Sequence, residues 1–158
     1  MQHLTIYSTS IDERSIDTAV RTLQRGEVII YPTDTLYALG CDALNQRAIE
    51  RLCRIKGINP DKNLLSVVCA DISQAADYAR IDNRAFAIIK HYLPGPFTFI
   101  LPASTKLPKV FKGRKTVGIR VPGCTIARAI ASELGNPILT SSATTPDPDD
   151  IESPEAVA

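Results

Sequence analysis

The chain has 158 residues, 44% hydrophobic and 22% charged, with a formal net charge of +1. That is ordinary globular composition and enough length for one domain with its own core, which excludes disordered, collagen-like and coiled-coil chains. No apolar run approaches the roughly 18 residues a membrane span needs, and the opening MQHLTIYSTS lacks the basic-then-apolar pattern of a secretory signal. The expectation is a single cytoplasmic domain over residues 1–158, with no membrane association.

In chain order, Leu4 to Tyr7 reads as a short strand. A helix follows from about Asp12 to Arg25, with Ile16, Ala19, Val20 and Leu23 at helical spacing and Gly26 as the stop. Val28 to Tyr31 is a β-branched apolar run ended by Pro32, the pattern of a buried strand. Leu36 to Leu39 is a further candidate strand. A helix from about Gln46 to Lys56 turns Ala48, Ile49, Leu52 and Cys53 inward, and Gly57 ends it. Leu64 to Cys69 reads as a strand and Ser73 to Tyr78 as a short helix. Asp82 caps a helix carrying Phe86, Ile89 and Leu93, broken by Pro94-Gly95-Pro96. Phe97 to Leu101 and Val117 to Val121 are strands around a basic segment. Thr125 caps a helix to Leu134, Gly135 closes it, and Ile138 to Ser141 is the last strand. Strand–helix–strand units mixed with adjacent strands predict an α/β fold with a mixed sheet. Ser153-Pro154-Glu155 has the composition of a helix start, yet only Ala156, Val157 and Ala158 follow, so the C-terminus is expected to be a truncation.

The four cysteines, Cys41, Cys53, Cys69 and Cys124, are scattered and accompanied by two histidines, His3 and His91. They form no zinc motif and read as reduced core thiols, and no metal site is expected. Charge, by contrast, is segregated. No acidic residue lies between Asp82 and Glu133, whereas nine basic ones do, among them Lys106, Lys109, Lys112, Arg114, Lys115 and Arg120. After Arg128 every charge is negative. Such a basic stretch is either a face for phosphates and nucleic acid or a solvated lysine-rich loop.

Pro32-Thr33-Asp34-Thr35 follows a buried strand, where an α/β sheet places its ligand crevice. With Tyr37, its hydroxyls and carboxylate suit a polar substrate; the alternative is a proline-led turn in which Asp34 bonds its own backbone. Lys56 ends a helix and Lys62 follows a glycine-containing loop, as point charges for phosphate or as answers to the helix dipole. Arg120 lies inside a strand, where a buried guanidinium needs an anionic or hydrogen-bonding partner and an exposed one does not. Thr140-Ser141-Ser142-Ala143-Thr144 gathers hydroxyls that either bind phosphate oxygens or make a serine/threonine turn. No catalytic triad, carboxylate pair or metal motif is visible.

Taken together and in order, PTDTLYALGCDA after a strand, RIKG and Lys62, PGPFTFIL, VGIRVP and TSSAT resemble the YrdC/YciO family from about Gly26 to Thr144. The segments Tyr37–Cys41, Glu50–Arg54 and Arg114–Gly118 are most similar to its YciO branch. The resemblance implies a twisted mixed sheet with flanking helices and a positively charged cleft. It also implies kinship with threonylcarbamoyl-AMP synthases, which join L-threonine, bicarbonate and ATP for a tRNA adenosine modification, and with binding of double-stranded RNA or tRNA. Carried onto this chain, Thr33, Thr35, Tyr37 and Lys62 would bind substrate. Lys56 and Arg120 would be the catalytic cations and, with Thr140, Ser142 and Thr144, would hold ATP or AMP. Lys112, Arg114 and Lys115 would meet RNA. ATP with Mg2+ would enter as substrate, and no tightly bound cofactor is expected. Two departures stand out. The synthases carry K-x-R where this chain has Lys56-Gly57-Ile58, and S-x-N where it has Ser142-Ala143-Thr144. The reading that follows is a YciO-like protein that binds ATP or AMP, and RNA, with weak or absent synthase activity. A genuine synthase and a non-enzymatic RNA- or ribosome-associated module are the alternatives.

Overall fold

Helices form in this chain where a polar side chain can take up the first free amide hydrogens. Asp12, Asn45, Asp71 and Asp82 stand in extended backbone one residue before α1 (Glu13–Gln24), α2 (Gln46–Lys56), α3 (Ile72–Tyr78) and α4 (Asn83–Tyr92). Each accepts from an amide two or three residues on, replacing a bond the helix itself cannot make. The fifth helix, α5 (Thr125–Leu134), differs: Thr125 is its first residue rather than its cap, and the cap Cys124 makes no side-chain bond. Gly57 and Gly135 end α2 and α5 at φ of 64° and 80°, a left-handed conformation that glycine adopts without strain. The structure, a computed structural model, describes residues 1–143. Thr144 and the helix start expected at Ser153 lie outside the described residues.

The strands are β1 (Ile29–Tyr31), β2 (Ala38–Asp42), β3 (Ser66–Val68), β4 (Phe99–Pro102), β5 (Thr116–Arg120) and β6 (Ile138–Ser142). They form one sheet in the order β1-β2-β6-β3-β5-β4, in which β3 and β5 are parallel and the other neighbours antiparallel. The mixed sheet is therefore as expected, with strand ends shifted by up to three residues, most at β2, expected at Leu36–Leu39. The strand expected at Leu4–Tyr7 does not form. Tyr7 makes an isolated bridge to Ser10, and Leu4 and Tyr7 are exposed. Alternating residues without a paired neighbour do not make a strand.

Because side chains alternate across a strand, register assigns each residue a face. Leu39, Cys41, Val67, Val117, Ile119 and Leu139 share one face with the buried residues of α2, α3 and α4. Tyr31, Ala38, Val68 and Ile138 share the other with α1 and α5. Burying side chains such as Ile49, Leu52 and Ile89 stabilises the first layer by about 1.5–3 kcal/mol each. Phe86, expected in the core of α4, is 46% exposed instead. The helix buries a narrow stripe centred on Ile89, and Phe86 sits at its margin with the Lys90 ammonium 6.0 Å from its ring.

Candidate functional site

The second face is only partly roofed, and its uncovered part carries hydroxyls and a guanidinium, with the exposed Ile100 at the β4 edge. Pairing sets Ile29, Gly40, Thr140, Ser66, Gly118 and Ile100 in one row across all six strands. Ser66 and Thr140 form its middle, both half-buried. The row toward the C-terminal end of β5 contains Val68, Ile138 and Arg120. The row at the opposite end contains Tyr31, Ala38 and Ser142. The result is a floor of hydroxyls with a guanidinium to one side.

Two glycines allow this floor to be flat. A Cβ on Gly40 would come within 2.6 Å of Tyr31 Cε1 and 2.7 Å of Ile138 Cγ2. Glycine there lets the Tyr31 ring lie across β2 and donate its hydroxyl to Thr140 Oγ1 at 2.6 Å. Burial holds the Tyr31 phenol above its usual range, against the opposing pull of that hydrogen bond and of the Arg120 charge. Tyr31 is thus a neutral donor that orients Thr140. A Cβ on Gly118 would collide with Ser66 Oγ.

Arg120 answers the question its position in a strand raised. Its side chain is 18% exposed, and its Nη2 lies 3.7 Å from Asp34 Oδ1 and 3.5 Å from Thr35 Oγ1. Its Nε is buried without a hydrogen-bond partner among the described residues. A buried donor left unpaired costs free energy, so this fork is arranged for an acceptor besides Asp34. The 32–36 turn is built differently from the expectation. Thr33, not Asp34, bonds the local backbone: its hydroxyl donates to the Leu36 carbonyl at 2.6 Å and accepts from the Thr35 amide at 3.2 Å. Thr33 and Thr35 hydroxyls are 3.1 Å apart. Asp34 reaches across the fold to the Gly123 amide, 2.8 Å from Oδ2. Tyr37, half-buried, uses its carbonyl to hold the Ala143 amide at 2.9 Å, tying this turn to the end of β6.

Thr33, Thr35, Arg120 and Thr140 are therefore drawn around one face, and Ser142 sits on the same face in the Tyr31 row. Lys56 is half-buried at the end of α2, a helix of the opposite face, and Gly57 turns the chain into the loop that carries Lys62. Ile58 turns toward the first core, its amide bonded to the Cys53 carbonyl at 2.9 Å. The basic loop is not wholly solvated. Arg114 donates to the Lys62 carbonyl at 2.6 Å, joining the 112–115 loop to the 59–63 loop, while Lys112 and Lys115 are exposed. Cys41, Cys53 and Cys69 are buried free thiols, as expected, and Cys124 is partly buried. Burial pushes Cys41 and Cys69 up to about 12, so they are not nucleophiles at neutral pH. A cavity of about 1020 Å³ runs along β1, between the first six residues, α1, α2 and α5, and reaches Tyr31, Pro32 and Tyr37. No metal-ligand cluster and no helix able to cross a membrane occurs among the described residues.

Sequence reasoning missed Tyr31 and Ser66 as site residues and misread Asp34. Ser66 had a signal, a lone hydroxyl in the apolar run Leu64–Cys69. Tyr31 had none, because its partner Thr140 is 109 residues away.

Fold and floor define an α/β domain with an arginine-centred polar surface on the half-open face of a mixed sheet. Residues 21–158 match the family model Sua5/YciO/YrdC, described as telomere recombination. The chain belongs to this family. It is 39% identical over 159 residues to the YciO protein of Escherichia coli, spanning 99% of this chain and 77% of the relative. The E. coli YciO crystal structure superposes with a TM-score of 0.85 at 38% identity, covering 94% of this chain and 73% of that one. A threonylcarbamoyl-AMP synthase of Vibrio vulnificus is 34% identical over 133 residues, 82% of this chain and 71% of its own length. P. abyssi Sua5 complexed with L-threonine is similar at a TM-score of 0.79 and 34% identity, over 85% of this chain and 40% of that protein.

Proposed function

We propose that the polar floor binds ATP or AMP together with a carboxylate such as L-threonine, and that threonylcarbamoyl-AMP synthase activity is weak or absent. One observation carries the reading: the half-buried Arg120, with an unpaired Nε, beside Thr35 and the hydroxyl row of Ser66 and Thr140. A planar cation with free donors next to clustered hydroxyls is the chemistry that recognises carboxylate and phosphate oxygens. Lys56 and Lys62 would add point charges, Ser142 and Thr144 further hydroxyls, and Mg2+ would enter on the nucleotide. Fixed positive charge of this kind stabilises attack on a phosphate. The weak turnover follows from Ile58. Where synthases of the family carry an arginine, this chain has an apolar residue packed against the core, so a bidentate cation is missing.

Calorimetric titration with AMP, ATP and L-threonine, with pyrophosphate release measured in parallel, tests this. Nucleotide binding should be present and should fall about tenfold or more in Arg120→Ala, as expected for a lost charge-assisted hydrogen bond. Threonine-dependent pyrophosphate should be near background and rise in Ile58→Arg with Thr144→Asn. Wild-type turnover equal to that of a K-x-R synthase would establish the synthase reading instead. Duplex RNA is a further proposed partner, supported by the exposed Lys112 and Lys115 on a loop that Arg114 ties to the Lys62 loop. Its binding should weaken steeply with salt, and the alanine triple variant of Lys112, Arg114 and Lys115 should lower that slope.

A further inference from the structure

Asp34, a carboxylate of the 32–36 turn, stands beside the arginine of the floor. Its side chain is 17% exposed, and its two oxygens divide between two strangers in sequence. Oδ2 accepts from the Gly123 amide at 2.8 Å, and Oδ1 stands 3.7 Å from Arg120 Nη2. The second distance is too long for a hydrogen bond, so the contact with Arg120 is electrostatic. The first has a particular setting. Gly123 immediately precedes Cys124, the cap of α5 that contributes no side-chain acceptor. The carboxylate from the distant turn therefore lies at the uncapped, electropositive start of α5, where negative charge is favoured.

We infer that Asp34 is a positioning residue: it clamps the Thr33–Thr35 turn to the corner between β5 and α5 and holds the Arg120 guanidinium in one orientation beside the hydroxyl floor. Arginine carries about 2 kcal/mol of rotamer entropy, and a side chain held before the ligand arrives does not lose that freedom on binding. Anchored by the Gly123 amide, Asp34 cannot follow Arg120, so it steers one nitrogen, Nη2, toward Asp34 and Thr35. Thr35, 3.5 Å from the same nitrogen, is brought in by the same clamp.

The ligand arm of the test rests on the functional reading above; a second arm does not. In 15N–1H spectra, the Arg120 Nε–H signal, assigned by its loss in Arg120→Lys, should be sharp and slow to exchange in the wild type. Asp34→Ala should broaden it and speed its exchange at least tenfold. Asp34→Asn, whose amide oxygen can still accept from Gly123, should keep the Gly123 amide protected yet still loosen Nε–H. In titrations with L-threonine and AMP, Asp34→Ala should lose about tenfold in affinity and Asp34→Asn less. An Nε–H signal unchanged in both variants overturns the proposal. Loosened Nε–H with no binding of either probe by the wild type supports the clamp and defeats the functional reading instead. Should the alanine variant fail to fold, the asparagine variant decides the matter alone.

Discussion

Tyr31 and Gly40 are a matched pair: the ring lies where a Cβ on residue 40 would be, and its hydroxyl reaches Thr140 at 2.6 Å. Tyr31→Phe removes that donor and should cost about 1–2 kcal/mol of stability, read as a lower urea midpoint with unchanged slope. Gly40→Ala forces the ring or Ile138 to move and should cost about 1–3 kcal/mol. If either change left the midpoint where it was, Tyr31 would not be packed as described. Arg120 shows how a residue's role escapes its neighbours in sequence. Its strand position was evident, yet its partners, Asp34 and Thr35, come from a turn more than eighty residues earlier.

At the scale of the element, α2 buries Ala48, Ile49, Leu52 and Cys53 and ends at Lys56, one of the proposed cations. Its cap rests on Asn45 Oδ1, which accepts from the Ala48 amide at 3.1 Å. Asn45→Ala should lower stability by about 0.5–2 kcal/mol, and Asn45→Asp should restore most of it, measured by thermal or urea unfolding. Gly57→Ala at the other end meets no side chain but places a Cβ on a left-handed residue, a cost of about 1–2 kcal/mol. The C-terminal end of α2 was read from Gly57, because capping is local chemistry, whereas its cap at Asn45 was not singled out. The margin of α4 was not readable. Whether Phe86 lies inside or outside its stripe depends on what packs beside the helix, and it lies half outside.

For the whole molecule, alkaline pH is the informative variable. Cys41 and Cys69 ionise near 9.0 when exposed and near 12 in the fold, because burial disfavours the thiolate. A folded pKa above the unfolded one stabilises fully below pH 9 and is lost as pH rises toward 12. Two such thiols predict a fall of about 2.7 kcal/mol per pH unit inside that window. Urea midpoints measured from about pH 8 to 10.5 should show this decline, and the double variant Cys41→Ala, Cys69→Ala should flatten it. A wild-type midpoint independent of pH over that range would place these thiols in contact with water. On the acid side the sign reverses. The Ser15 hydroxyl and the Arg14 amide hold the Asp12 carboxyl below its usual range, so its support of α1 is present at neutral pH and fades as pH falls through that range.

Local chemistry had already placed the helices, the strand cores, the glycine stops and the thiols, because each depends on spacing within a dozen residues. The order of short motifs also carried the family. Register across the six strands lay beyond it: Ser66 beside Thr140 and Gly118, Tyr31 beneath Gly40, the strand lost at Leu4–Tyr7. Strand pairing is set by which apolar faces meet when the sheet closes, and those faces come from opposite ends of the chain. The same closure brings Asp34 to Gly123 and Arg120, turning a hydroxyl-rich turn and a strand arginine into one site.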